Sequence, residues 1–177
     1  MSLRALDRDR LLALLATASE RLEGEWLVVG DAAAAAWFST ARVTEDIDLV
    51  PLDPCAGQRL ALMELAAASG LPVEAVNSAA DFFVRRVDGW RDELVPLLRG
   101  PRATIHRPSA TLFLLLELER LSATDLADCV ELLDHTRATG EVVDVTRVRD
   151  RLAALPAADD DALVARRAQL AARLATT

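Results

Sequence analysis

The sequence predicts an α+β fold: a small mixed sheet packed by helices, with a C-terminal helical section. Three observations carry that expectation. Short apolar and β-branched runs alternate with helical patterns as far as His106, in the order strand, helix, strand, helix, strand. Beyond Pro108 every periodic segment reads as helix. An apolar fraction of 52% over 177 residues is enough to build a real core. Residues 1–107 are therefore read as an α/β core with an N-terminal helix. Residues 108–177 are read as a helical section, one compact unit with that core and forming a wall of its cleft.

Taken in order, Leu3 to Leu22 has leucines at 11, 12, 15 and 22 with charges between them, the pattern of an amphipathic helix that Gly24 closes. Trp26 to Val29 is long enough for a buried strand and too short for a helix, and Gly30 ends it in a turn. Asp31 suits an N-cap, and Ala32 to Ala36 are the strongest helix formers. The polar segment Thr40 to Glu45 leads into a strand over Asp46 to Val50, stopped by Pro51 and Pro54. Gln58 to Ala68 is the crossover helix, with Leu60, Met63, Leu65 and Ala67 as its apolar surface and Gly70 as its stop. Strands follow at Leu71 to Val76 and Phe82 to Val87, then a turn at Val87 to Trp90, and a last strand at Ala103 to His106. Ser109 caps a helix through Leu121, and Ser122 with Asp125 makes a capping-box start for the next, which ends before Gly140. Val145 to Leu155 forms a helix stopped by Pro156. The triplet Asp159, Asp160, Asp161 opens the last helix, whose Arg166, Arg167 and Arg173 sit toward its C-terminal half, a charge order that suits the macrodipole better than a metal site.

The chemical content lies between Trp26 and Pro51. On a strand, residues two apart share a face, so Asp46 and Asp48 converge on one volume while Ile47 and Leu49 enter the core. Two like charges so placed repel, and a divalent cation between them relieves the repulsion. Hard oxygen ligands of this kind suit Mg²⁺ or Mn²⁺. Backbone N–H groups at the Gly30 turn add a place for phosphate oxygens, so phosphoryl transfer fits best.

These residues resemble the nucleotidyltransferase-fold superfamily, whose hallmark is a strand, a Gly-Ser or Gly-Gly turn, a helix, then a strand carrying Asp-x-Asp. Gly30, Asp46 and Asp48 match it. The chain is most similar to the bacterial branch of the abortive-infection (AbiEii) toxin type, where the segment commonly reads Arg-x-Thr-x-Asp-Ile-Asp; Arg42, Thr44, Asp46, Ile47 and Asp48 reproduce it. Ala80 to Phe83, Gly89 to Glu93 and Glu117 to Leu133 look like later segments of an uncharacterised subgroup, so the likeness runs over residues 20–150. Two positions depart from the pattern. Asp31 stands where Gly or Ser is usual, and Glu117 where the subgroup has Lys.

The resemblance implies a metal-dependent nucleotidyltransferase that moves a nucleoside monophosphate from a nucleoside triphosphate to an acceptor hydroxyl. Asp46 and Asp48 would hold Mg²⁺ or Mn²⁺; Gly30, Asp31, Arg42 and Thr44 would line the nucleotide. Such enzymes usually add a third carboxylate from a neighbouring strand, as general base or second-metal ligand. Glu74 is the candidate for it, with Asp81 as substitute; otherwise Glu74 is an edge-strand charge facing solvent. The acceptor implied is a transfer RNA end or a protein side chain, and the chain would be a toxin with an antitoxin partner. The alternative is a catalytically inactive nucleotidyltransferase-like binding or regulatory module, motivated by Asp31 and Glu117.

Composition excludes several other classes. A net charge of −8 argues against broad attraction to nucleic acid, although Arg85, Arg86, Arg91, Arg99, Arg102 and Arg107 gather positive charge in the middle of the chain, as a phosphate-facing patch or as scattered solvated side chains. The chain contains no lysine, which removes lysine nucleophiles, Schiff bases and a Walker-type loop. Cys55 and Cys129 lack CxxC spacing and give no zinc signature with His106 and His135; Cys129 falls on a helical apolar stripe as a buried thiol. His106 reads as a strand-end or surface residue, His135 as a helix C-terminal dipole partner. No uncharged apolar run reaches about 18 residues and no secretory leader is evident, so a cytoplasmic protein without membrane contact is expected.

Overall fold

The computed structural model describes residues 5–39, 41–54 and 56–176. Leu3, Thr40 and Cys55 lie outside the described residues. The chain divides into two compact units, Met1–Pro108 and Ser109–Thr177.

The first unit is a five-stranded mixed sheet with helices packed on it. Helix α1 (Arg8–Arg21) starts later than the leucine pattern suggests, because the Asp7 carboxylate accepts the Arg10 N–H at 3.0 Å and fixes the N-cap there. Strand β1 (Gly24–Val29) is followed by α2 (Gly30–Trp37), then β2 (Ile47–Pro51), α3 (Gln58–Ala68), β3 (Val76–Asn77), a four-residue helix α4 (Asp81–Val84), β4 (Leu94–Arg99) and β5 (Ala103–Pro108). The sheet order is β3-β2-β1-β5-β4. β1 runs antiparallel to β2 and parallel to β5; β3 is parallel to β2, and β4 antiparallel to β5.

Sequence explains most of this order. Ala32 to Ala36 are all buried, so their small side chains let α2 lie close against β1 and β2. Leu27, Val28, Ile47, Leu49, Val50 and Ile105 are fully buried and make the strand contribution to the core.

Three expectations fail in this unit. Leu71 to Val76 is not a strand: Pro72 precedes a 3₁₀ turn over Val73–Ala75, and only Val76–Asn77 pairs with β2. Phe82 to Val87 is not a strand either, since Asp81–Val84 turns as a helix tied by the Asp81 carboxylate to Arg85 Nε one turn on, at 2.8 Å. On α3 the buried residues are Leu62, Leu65 and Ala66, while Leu60 and Met63 face solvent, so the apolar stripe is rotated from the expected one. Strand β4 was not foreseen. Pro96 sits within it, and its missing N–H is tolerated because β4 is an edge strand with a register shift between Pro96 and Leu98.

The second unit is helical: α5 (Ala110–Glu117), α6 (Ala123–Thr139), α7 (Val145–Ala153) and α8 (Asp161–Leu174). Ser109 caps α5 through Leu112 N–H, and Ser122 with Asp125 makes the full capping box of α6, which ends at Gly140 in the left-handed region. Asp160 accepts the Ala162 and Leu163 N–H groups, so the acidic triplet does cap α8. Among the described residues, no helix is long and apolar enough to cross a membrane.

Candidate functional site

The unit that positions the acidic site is β1, the Gly30 turn, α2 and β2. Gly30 takes φ +62, a left-handed conformation, and a Cβ there would meet nothing within 4 Å. Glycine is thus required by the backbone and not by crowding. Val29 is the N-cap of α2 and offers no side-chain hydrogen bond; Asp31, expected as the cap, lies instead inside the first turn. There it receives Arg42 Nη2 at 2.7 Å, with side-chain exposures of 17% for Arg42 and 46% for Asp31. Half-exposed pairs of this kind are worth about 0.2–1 kcal/mol. Their more important effect is local, because Arg42 offsets the carboxylate that Asp31 places at the turn.

β2 carries the second part. Asp48 lies opposite Val29 on β1 and opposite Asn77 on β3, so it stands on the second strand from one edge of the sheet and beside the end of β1. Asp46 precedes β2 by one residue and is exposed, so it lies just outside the strand on which the sequence places it, and its charge is among those that bear on Asp48. The Thr44 hydroxyl donates to the Asp46 carbonyl at 2.7 Å and Thr44 is buried, while its backbone pairs with Leu6. The side chain of Thr44, expected to line a nucleotide, is buried here with its hydroxyl on the segment that leads to Asp46.

Asp48 Oδ1 accepts the Ala80 N–H at 3.2 Å. Burial pushes its carboxyl above the usual carboxylate range. The Ala80 and Ala79 N–H groups pull it back, and the charges of Asp46 and Asp31 push it up further. The acids that bear on Asp48 are thus Asp46 and Asp31.

Glu74 is not among them, and it does not lie on the strand that the sequence predicts for it. It sits exposed on the 3₁₀ turn before β3, beside an open groove with Gln58, Arg59 and Asn77. The neighbour that the register gives Asp48 on β3 is an amide, Asn77, whose Oδ1 accepts Ala79 N–H. The substitute, Asp81, is paired with Arg85. Among the described residues, no three His, Cys, Asp or Glu side chains converge as a metal-holding group. Two carboxylates still fit Mg²⁺, which is usually held by one or two of them and completes its shell with water and substrate phosphates.

The middle arginines are mostly committed to structure. Arg85 donates to the Pro51 carbonyl at 2.9 Å, Arg91 to the Leu52 carbonyl at 2.6 Å, and Arg102 pairs with Glu23 at 2.5 Å. Arg107 lies 3.7 Å over the Trp37 ring. His106, expected at a strand end or at the surface, lies on β5 and is 8% exposed, with Nε2 3.1 Å from Glu25 Oε1. Sequence reasoning had no signal for that contact, which joins residues 81 positions apart. In the helical unit Cys129 is buried as expected; burial, with the charges of Glu117, Asp125 and Asp128 around it, holds its thiol well above the ordinary range and so unreactive.

No family model, curated protein or solved structure matches the chain. The site is accordingly read from its own geometry.

Proposed function

We propose that the chain is a metal-dependent nucleotidyltransferase, moving a nucleoside monophosphate from a nucleoside triphosphate to an acceptor hydroxyl. The observation that supports it is Asp48 on β2 with Asp46 just before the strand, close enough for its charge to bear on Asp48, next to a left-handed glycine turn that opens α2. A bound Mg²⁺ or Mn²⁺ would supply charge neutralisation for the triphosphate. Asp46 and Asp48 would hold that ion. The N–H groups at the start of α2 would meet the phosphates, and Arg42, paired with Asp31, would keep that carboxylate from repelling them. The acceptor oxygen bonds to the α-phosphorus, the α–β phosphoanhydride bond breaks, and pyrophosphate leaves. The acceptor proton passes to solvent. An RNA end or a protein hydroxyl would be the acceptor, in a toxin with an antitoxin partner.

The test is incubation with α-³²P-labelled nucleoside triphosphates and Mg²⁺ over candidate acceptors. Label transfer is expected for the wild-type chain and should fall to background in Asp46→Ala and Asp48→Ala. Equal labelling by those variants rejects the assignment.

A second reading has its own observation. Asn77 occupies the register position beside Asp48 where a third carboxylate would be needed, and this favours a catalytically inactive module that binds a metal–nucleotide pair without turning it over. It predicts nucleotide-dependent stabilisation with no label transfer by the wild-type chain.

A further inference from the structure

Asn77 is the residue that the register sets opposite Asp48, on the two-residue strand β3. Paired strands lie about 4.8 Å apart and partners in register share a face, so the two side chains are neighbours. Immediately after Asn77 the chain leaves the sheet, and the Asn77 side chain directs its exit. Asn77 Oδ1 accepts the Ala79 N–H at 2.8 Å, closing the turn that asparagine and aspartate make with the backbone two residues on. The next N–H, that of Ala80, is thereby presented to Asp48 Oδ1 at 3.2 Å.

Little else shapes this segment. Ala79 is exposed, and Ser78 and Ala80 are half-buried, so no large side chain packs it into the core. Among the described residues, the side-chain acceptors for the N–H groups of residues 78–80 are Asn77 and Asp48. Beyond α4, Arg85 donates to the Pro51 carbonyl at 2.9 Å. The stretch from Asn77 to Arg85 is thus tied to both ends of β2, and the Ala80 amide is held at Asp48.

A neutral side chain suits the position. Asp48 already bears the charges of Asp46 and Asp31, and another carboxylate directly opposite it in the sheet would add to the repulsion. Asn77 makes the turn without adding that charge.

We infer that Asn77 is a positioning residue of the acid site: its side chain shapes the turn that delivers the Ala80 N–H to Asp48, and so sets the direction in which the Asp48 carboxylate meets a divalent cation. The cation rests on the function proposed above; the turn does not. The inference applies equally to an enzyme and to a module that binds without turnover. Groups that orient a metal's ligands in this way change its affinity by about 10–100-fold when they are removed.

The experiment pairs two measurements on the full chain: Mn²⁺ affinity by electron paramagnetic resonance, without triphosphate, and backbone amide exchange by NMR, without metal. Asn77→Ala should weaken Mn²⁺ binding about tenfold or more and strip protection from the Ala80 amide, while the amides of the central strand β1 keep theirs. Asn77→Asp restores the acceptor. It should recover both Ala80 protection and Mn²⁺ affinity, yet its added charge should lower Tm in the absence of metal. A general loss of structure would not move affinity and stability in opposite directions. Unchanged Mn²⁺ affinity or unchanged Ala80 protection in Asn77→Ala overturns the proposal, as does Asn77→Asp binding Mn²⁺ as weakly as Asn77→Ala. The two readings fail separately. Absence of Mn²⁺ binding by the wild-type chain, with Ala80 protection still dependent on residue 77, rejects the cation and keeps the turn; Mn²⁺ binding untouched by Asn77→Ala rejects the role of Asn77 and keeps the proposed function.

Discussion

At the residue scale, Asp48 is where the forces on the site meet. Burial, Asp46 and Asp31 favour its protonated form, and the Ala80 and Ala79 amides oppose them without winning. Its folded-state affinity for a proton therefore exceeds the unfolded one, so the native state binds more protons between the two values and stability falls as pH rises through that window. Asp48→Asn keeps the acceptor for Ala80 and removes the charge. It should raise Tm at pH 7, and the gain over the wild type should shrink as pH falls toward about 4, the unfolded carboxylate value; thermal scans over that range check both the sign and the trend. The strand that carries Asp48 was legible in the sequence because a strand period of two is local information, although the strand starts at Ile47 and leaves Asp46 just outside it. The Arg42–Asp31 pair was not, as it closes over eleven residues and needs the turn at Gly30 to exist first. Glu74 was misplaced for a related reason: its role depended on a strand that Pro72 and a 3₁₀ turn cut to two residues.

Elements were read best where an end signal and a periodic run agree. α3 spans the residues between Gly57 and Ser69, and the Ser122–Asp125 capping box begins α6 as the sequence indicates. They were read worst where composition and position conflict. Phe82, Phe83 and Val84 have strand-forming side chains, yet the segment turns as a helix whose amide end holds Asp48. Pro96 hid β4, which only its edge position makes possible. Two glycines separate conformational from steric need. Gly30→Ala meets open space and should cost about 1–2 kcal/mol through its left-handed φ alone. At Gly100, before β5, an added Cβ would sit 2.2 Å from Ser19 Oγ and 2.6 Å from the Ser19 carbonyl oxygen, so α1 would have to move. Urea unfolding should rank Gly100→Ala as the more destabilising; the reverse order would contradict this account of the α1 contact.

For the whole molecule, the division after Pro108 gives each unit its own source of stability. The first buries strand residues under alanine-rich α2, and the second relies on capped helices and on the buried Asp125, which pairs with the exposed Arg120 at 2.7 Å. Burial opposes the charge on Asp125, but Arg120 and the two Ser122 hydrogen bonds hold its carboxyl below the usual range. That contribution is complete above the unfolded carboxylate value, near 3.9, and is lost as pH falls through the folded one. The units thus respond to acid with opposite signs at their best-defined carboxylates. The net charge of −8 and the absence of lysine leave any polyanion to be met by a cation or by local arginines, which is why the acid pair carries the functional reading. The most direct measurement is Mn²⁺ titration followed by electron paramagnetic resonance, with and without a nucleoside triphosphate. Mn²⁺ should bind to the wild-type chain, more tightly with the triphosphate present, and the signal change should vanish in Asp46→Ala/Asp48→Asn. Binding that is unchanged in that double variant would contradict the account.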